Sequence, residues 1–268
     1  MSLATSRPGG VKGAIRPIAE REGARASLTV IGGGRQVEEH VHDHPYLSLH
    51  VLGGYREHGE AGEREIDGPA AVFHPAGASH EDAVGGSGLA TVVIEFEPAW
   101  LRKALGPWPR LDQSRYWIGG AVGERAERLA RAWVSARNAD ACLRATADLI
   151  GWAARLRDSS VDADRLQVIE NAMDDGGLER LAEARQVRGS WLVRDYRRRR
   201  GEGLQQTQRR RRVERAVRLI ETSPLPLAQI ALDAGFCDQS HMNRAFRLLL
   251  GATPAQLRAN PLGLTRAA

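Results

Sequence analysis

Two stretches of the chain crowd together side chains able to do chemistry. The first, GRQVEEHVHDHPY from Gly34 to Tyr46, sets His40, His42 and His44 at alternating positions, and GPAAVFHPAGASH adds His74 and His80. Alternate residues of an extended strand point to one side, so three imidazoles can converge. Convergent imidazoles hold Zn²⁺, Ni²⁺ or Fe²⁺, or hydrogen-bond an organic molecule. The second, IALDAGFCDQSHMNRAF, carries Gln239, Ser240, His241, Asn243 and Arg244, with Arg247 just beyond it. Gln, Asn and Arg make paired hydrogen bonds to base edges in a DNA major groove, and Ser and His adapt to them.

The elements that must position these groups differ. Between residues 25 and 98 the β-type runs ASLTVI, YLSLHVL, AAVFH and LATVVIEF alternate with glycine turns, which predicts a small antiparallel barrel or sandwich. From Glu124 onward the pattern is helical. Leu129, Ala132, Trp133 and Ala136 share one face, as do Leu149, Trp152, Ala153 and Leu156. These two helices cover the barrel or pair with a second subunit. Residues 1–24, punctuated by Gly and Pro, read as a flexible arm. The expected units are the arm, a barrel over 25–120, a helical dimerisation or linker segment over 121–160, and a DNA-binding domain over 162–262. The fold class is α+β multidomain, with an all-α C-terminal part.

That last part contains an internal repeat. LERLAEARQVRGSWLVRDYRRRRG from Leu178 to Gly201 is answered by LAQIALDAGFCDQSHMNRAFRLLLG from Leu227 to Gly251. At an offset of 50, Ser190 answers Ser240, Leu192 Met242, Arg194 Arg244, Tyr196 Phe246, Arg197 Arg247 and Gly201 Gly251. Met242, Ala245, Phe246 and Leu249 form one apolar stripe, and Ser240, Arg244 and Arg247 face the opposite way. Gly235 ends the preceding helix. Helix, short turn and helix is the layout that sets a recognition helix in the major groove.

Composition narrows the classes. The chain has 268 residues, 42% hydrophobic and 26% charged, as folded proteins do. No run reaches the eighteen or so apolar residues of a membrane span. The N-terminus lacks an apolar signal core, and Cys142 and Cys237 stand alone, which reads as a cytoplasmic protein. Residues 162–268 carry 19 Arg, no Lys and 13 acidic residues, a net +6; the rest of the chain is close to neutral. A basic half beside a neutral one fits a polyanion-binding module joined to something else.

The C-terminal passage resembles the AraC/XylS family of transcription regulators. The resemblance rests on RVERAVRLI, Ile230-Ala231, Gly235-Phe236, Ser240, Arg244-Ala245-Phe246 and Gly251-Ala252-Thr253-Pro254. It implies two helix-turn-helix units bridged by a long helix over about 202–221. Implied DNA-binding residues are Ser190, Val193, Arg194, Arg197 and Arg198 in the first unit, and Gln239, Ser240, His241, Asn243, Arg244 and Arg247 in the second. The histidine stretches resemble the two cupin motifs, with His40, His42 and His80 matching three metal ligands. Tyr46 or Leu47 stands where the cupin glutamate would be. The barrel is therefore expected to bind a small-molecule effector through His42, His44, Tyr46, His74 and His80, with no cofactor and no catalysis. The expected partners are double-stranded DNA, RNA polymerase and a second copy of the chain. The alternative is a metal-dependent cupin enzyme or metal sensor, with His40, His42 and His80 as ligands and a basic nucleic-acid-binding domain.

Overall fold

A computed structural model describes residues 14–60, 62–106, 111–135, 138–156, 169, 181–183 and 189–259. Its first part is one antiparallel sheet of eight strands. These are β1 (Ala14–Arg21), β2 (Ala24–Ile31), β3 (Gln36–Val41), β4 (Tyr46–Gly59), β5 (Gly62–Asp67), β6 (Ala70–His74), β7 (Ser79–Phe96) and β8 (Arg115–Ile118). The order is β1-β2-β7-β4-β6-β8, with β3 also on β7 and β5 also on β4. Strands β4 and β7 form the spine. Each carries two sets of partners because bulges bend it, in β4 between His50 and Leu52 and again between Gly53 and Tyr55.

Side-chain alternation gives the sheet two different faces. Leu28 of β2, Leu47 and Leu49 of β4, and Val92, Ile94 and Phe96 of β7 are fully buried in one apolar core. Their neighbours Ser27, Thr29, Tyr46, Ser48, Thr91, Val93 and Glu95 face a cavity instead. The stretch expected as an arm needs a correction: residues 14–21 are β1, paired with β2 from Ala14↔Val30 to Arg21↔Ala24. Pro17 sits mid-strand, which an edge strand tolerates, since no ladder donor is required on its free side.

Helix α1 (Pro98–Leu105) precedes β8; α2 (Gly120–Ser135) and α3 (Ala139–Ala153) follow it. Helix α2 lies against β4 and β6. Trp133 on α2 is 2% exposed and donates through Nε1 to Thr146 Oγ1 at 3.0 Å, so its ring packs within this chain. Trp152 on α3 is half-buried under the Arg125 guanidinium, 4.0 Å from the ring centre.

The C-terminal part contains α4 (Gly189–Arg200), α5 (Leu204–Thr222), α6 (Leu227–Asp233), α7 (Gln239–Leu250) and α8 (Pro254–Ala259). Val213, Ala216, Val217 and Ile220 of α5 pack on Ile230, Ala231, Met242, Phe246 and Leu249. A separate small core joins Ile169, Ala182, Leu192 and Tyr196. Part of the first repeat, residues 178–180 and 184–188, lies outside the described residues.

Candidate functional site

The cavity on the inner face of the sheet has a volume of about 450 Å³. Its lining includes an aliphatic cluster of Ile31, Val37 and Leu89, the side chains of Ile15, Pro17 and Val93, and a group of polar rings and carboxyls. Strand pairing builds that polar group. His40 of β3 is the cross-strand partner of His80 of β7, and their ring centroids are 4.3 Å apart. His42, two residues on, stacks parallel to His80 at 5.6 Å. Tyr46 Oη and His80 Nε2 share a hydrogen bond of 3.1 Å. His40, His42 and His80 each offer a nitrogen within 4.8 Å of the others, and a carboxylate oxygen of Glu57 lies as close to nitrogens of His74 and His80.

Of the residues expected to bind an effector, His42, Tyr46 and His80 line the cavity, as does His40. His74 is outside the lining, stacked on His80 at 4.6 Å and on Tyr46 at 4.9 Å. His44 is half-buried and also outside the lining. Two residues of the polar group were not singled out from sequence. Glu57, 1% exposed, accepts a hydrogen bond from Tyr116 Oη at 2.5 Å and lies 3.4 Å from His74 Nε2. Asp82 is its cross-strand partner.

Burial governs the charges here. It pulls His42 down to about 4, helped by the neighbouring His40 and His74, and His80 down to about 2, helped by His74, His40 and His42. Both imidazoles are therefore neutral at neutral pH and free to accept a hydrogen bond or bind a metal. Burial, reinforced by Glu57 and Glu81, pushes Asp82 up to about 8.

The second cluster lies on α7. The Asp238 side chain caps the helix by accepting from His241 N at 2.7 Å. Gln239, Ser240, Arg244 and Arg247 are exposed, and Asn243 is half-buried. The His241 ring rests edge-on against Phe236, centroids 5.2 Å apart. The repeat read in sequence holds in space. Leu192 and Met242 are buried, as are Tyr196 and Phe246, while Ser190, Arg194 and Arg197 are exposed like Ser240, Arg244 and Arg247. Val193 is exposed as well.

The arginine run at the end of α4 departs from its partner helix. Arg197 Nη2 reaches Glu124 Oε1 of α2 at 2.5 Å, and Arg198 and Arg199 both bind Asp195, at 2.5 and 3.0 Å. Arg200 is not on the rim: it is 4% exposed and holds Asp67 of β5 at 3.0 Å.

Residues 181–260 match the family described as a helix-turn-helix domain. This bears out the resemblance to AraC/XylS-type regulators for the C-terminal part of the chain. No curated protein matches the chain. Among solved structures, ToxT from Vibrio cholerae O395 is similar over 91% of this chain and 100% of its own, at 10% identity and a TM-score of 0.39. A cupin superfamily protein from Desulfitobacterium hafniense DCB-2 covers 31% of this chain and 74% of its own, at 17% identity and a TM-score of 0.28. KdgF from Halomonas sp. covers 32% and 82%, at 16% identity and a TM-score of 0.29. Likenesses at this level add nothing to what the strands and helices of this chain establish by themselves. Among the described residues no helix is long and apolar enough to cross a membrane.

Proposed function

We propose that the chain is a DNA-binding transcription regulator of the AraC/XylS type whose N-terminal barrel takes a small-molecule effector. The observation that carries the reading is the duplicated exposed face. Ser190, Arg194 and Arg197 on α4 and Ser240, Arg244 and Arg247 on α7 are exposed at a fixed offset of 50, over buried apolar stripes that repeat with them. Two recognition helices in one chain enter successive major grooves on one side of the duplex, so their subsites lie about 10 bp apart. Homodimerisation, contact with RNA polymerase and a cytoplasmic setting belong to the same reading, and no catalytic cycle does. The test starts by selecting bound sequences from a random DNA pool and footprinting the best. Five base pairs are then inserted between the two protected subsites. Specific affinity is expected to collapse; affinity that survives the insertion rejects joint reading by the two units.

One observation favours a second reading. The nitrogens offered by His40, His42 and His80 lie within 4.8 Å of one another, close enough for one Zn²⁺ or Ni²⁺. The barrel would then sense the metal itself. Elemental analysis of protein made without a histidine tag separates the two. Stoichiometric metal that disappears in His42→Ala/His80→Ala supports the metal sensor, and clearly substoichiometric metal supports an organic effector.

A further inference from the structure

Glu57 and Asp82 face each other directly across β4 and β7, and both line the cavity. Two buried carboxyls directly opposite one another on a sheet do not both ionise readily, and Asp82 is the one that holds its proton until a cation arrives. Nothing in the cavity wall balances them. Arg25 is the one arginine or lysine among the described lining residues, and its Nε and Nη2 are both spent on Glu95, at 2.9 and 2.5 Å. Three polar atoms of the described lining lack a partner: Asp82 Oδ1, His80 Nδ1 and His42 Nε2. His80 is 4% exposed, so its free nitrogen is held out of bulk water inside the cavity wall. When Nε2 carries the His80 proton toward Tyr46, Nδ1 is an acceptor.

We propose that the effector is an amphipathic organic cation, a primary amine whose ammonium sits between Glu57, Asp82 and His80 and whose hydrocarbon body lies along Ile31, Val37 and Leu89. This rests on the barrel being the effector site. An ammonium brings three donors, and Glu57, Asp82 and His80 offer three acceptor groups. One acceptor atom each of Glu57 and His80 lie within 4.8 Å of one another, so a nitrogen between them reaches both at hydrogen-bond length. Tyr46 and Tyr55 also line the cavity. The volume decides against a bare metal ion. About 450 Å³ with an aliphatic cluster in its lining is the size of a site for an organic molecule. The two carboxyls decide against an anion.

The test is calorimetric titration of the full chain with 2-phenylethylamine and the primary amines from butylamine to decylamine, each beside the carboxylate of matched length. At least one amine is expected to bind one to one, and its matched carboxylate to bind neither alone nor in competition. Asp82→Asn and Glu57→Gln are each expected to weaken the amine about tenfold or more, because each removes a carboxyl that is ionised when the ammonium is bound. Circular dichroism checks that each variant folds, and the amine–carboxylate contrast needs no variant at all. Failure of every amine, equal binding of a carboxylate, or a stoichiometric Zn²⁺ ion that excludes the amine each overturns the proposal. Gel shifts of the wild-type protein on its selected DNA run alongside. Intact DNA binding with no amine binding rejects this inference alone, whereas absence of specific DNA binding rejects the regulator reading.

Discussion

Arg194 and Arg197 on α4 answer Arg244 and Arg247 on α7, but Arg244 and Arg197 have different surroundings. Arg244 is exposed on α7 and has no ion-pair partner among the described residues, so its guanidinium can lie in a groove and grip a guanine edge at two points. Arg197 is also exposed and already holds Glu124 of α2. The Arg197 guanidinium hydrogen bond is also the main reason the Glu124 carboxyl titrates below its usual range. The first unit therefore has to give up an internal partner before Arg197 can meet phosphate, and the second does not. Arg244→Ala is expected to cost about 1–3 kcal/mol on the selected site and little on random DNA. Fluorescence anisotropy on both DNAs checks this. Equal losses on the two would make Arg244 a phosphate contact and shift the reading face of α7.

At the scale of the element, two glycines test how the fold is held. Gly235 ends α6 with φ +87°, and Phe236 N returns a 2.8 Å hydrogen bond to Ala231 O. A Cβ there meets nothing nearer than 3.5 Å, so Gly235→Ala carries backbone strain alone, about 1–2 kcal/mol. Gly53 sits at the β4 bend with φ +79°, and a Cβ would fall 1.7 Å from Gly88 O. Gly53→Ala adds a backbone collision that only a shift of β7 relieves, and about 2–5 kcal/mol is expected. Denaturant unfolding of both variants gives the comparison, and equal costs would mean the bend is not fixed by this contact. The same bend explains what was legible in sequence. The strand runs, the helical stripe of α7 and the 50-residue repeat follow from regular periods, which local chemistry imposes. Glu57 and Asp82 did not follow. Tyr46 and Ser48 face the cavity at even positions, and after the β4 bulges Tyr55 and Glu57 face it at odd ones. On β7 the inward positions pass from Asp82 to Leu89 across Gly85–Gly88. Strict alternation from the histidine motif points Arg56 and His58 inward and misses both carboxyls. Strand β1 was missed because Pro17 reads as a break unless the strand is known to be an edge.

Across the whole molecule, the sheet and the helix-turn-helix part meet through buried charge. Arg210 of α5 is 5% exposed and binds Glu202 at 3.1 and 3.2 Å and Glu214 at 2.7 Å, with Asp67 of the sheet 3.8 Å away. Glu214 also accepts from Gly53 N of β4 at 2.9 Å, and Arg200 of α4 holds the other oxygen of Asp67. Burial alone would weaken the Arg210 charge, but Glu202, Glu214 and Asp67 outweigh it and hold the guanidinium firmly protonated. A second bridge leaves from the cavity wall. Ile15 and Pro17 of β1 face the cavity, while Arg16 between them donates to Leu250 O at the end of α7, at 3.4 Å. A strand that lines the cavity thus also touches a helix of the helix-turn-helix part. Among the described residues, removing the central cation leaves Glu214 without its ion-pair partner and Glu202 with only the more distant Arg200, 3.7 Å away, in a buried interface. Arg210→Met is expected to destabilise by about 3–5 kcal/mol, since one member of a buried ion cluster is lost while its partners stay. Because the cluster joins the two parts, calorimetry of the variant should also split one unfolding transition into two, with the helix-turn-helix part melting first. A single transition at the wild-type temperature would show that the apolar contacts of α5, and not this cluster, hold the halves together.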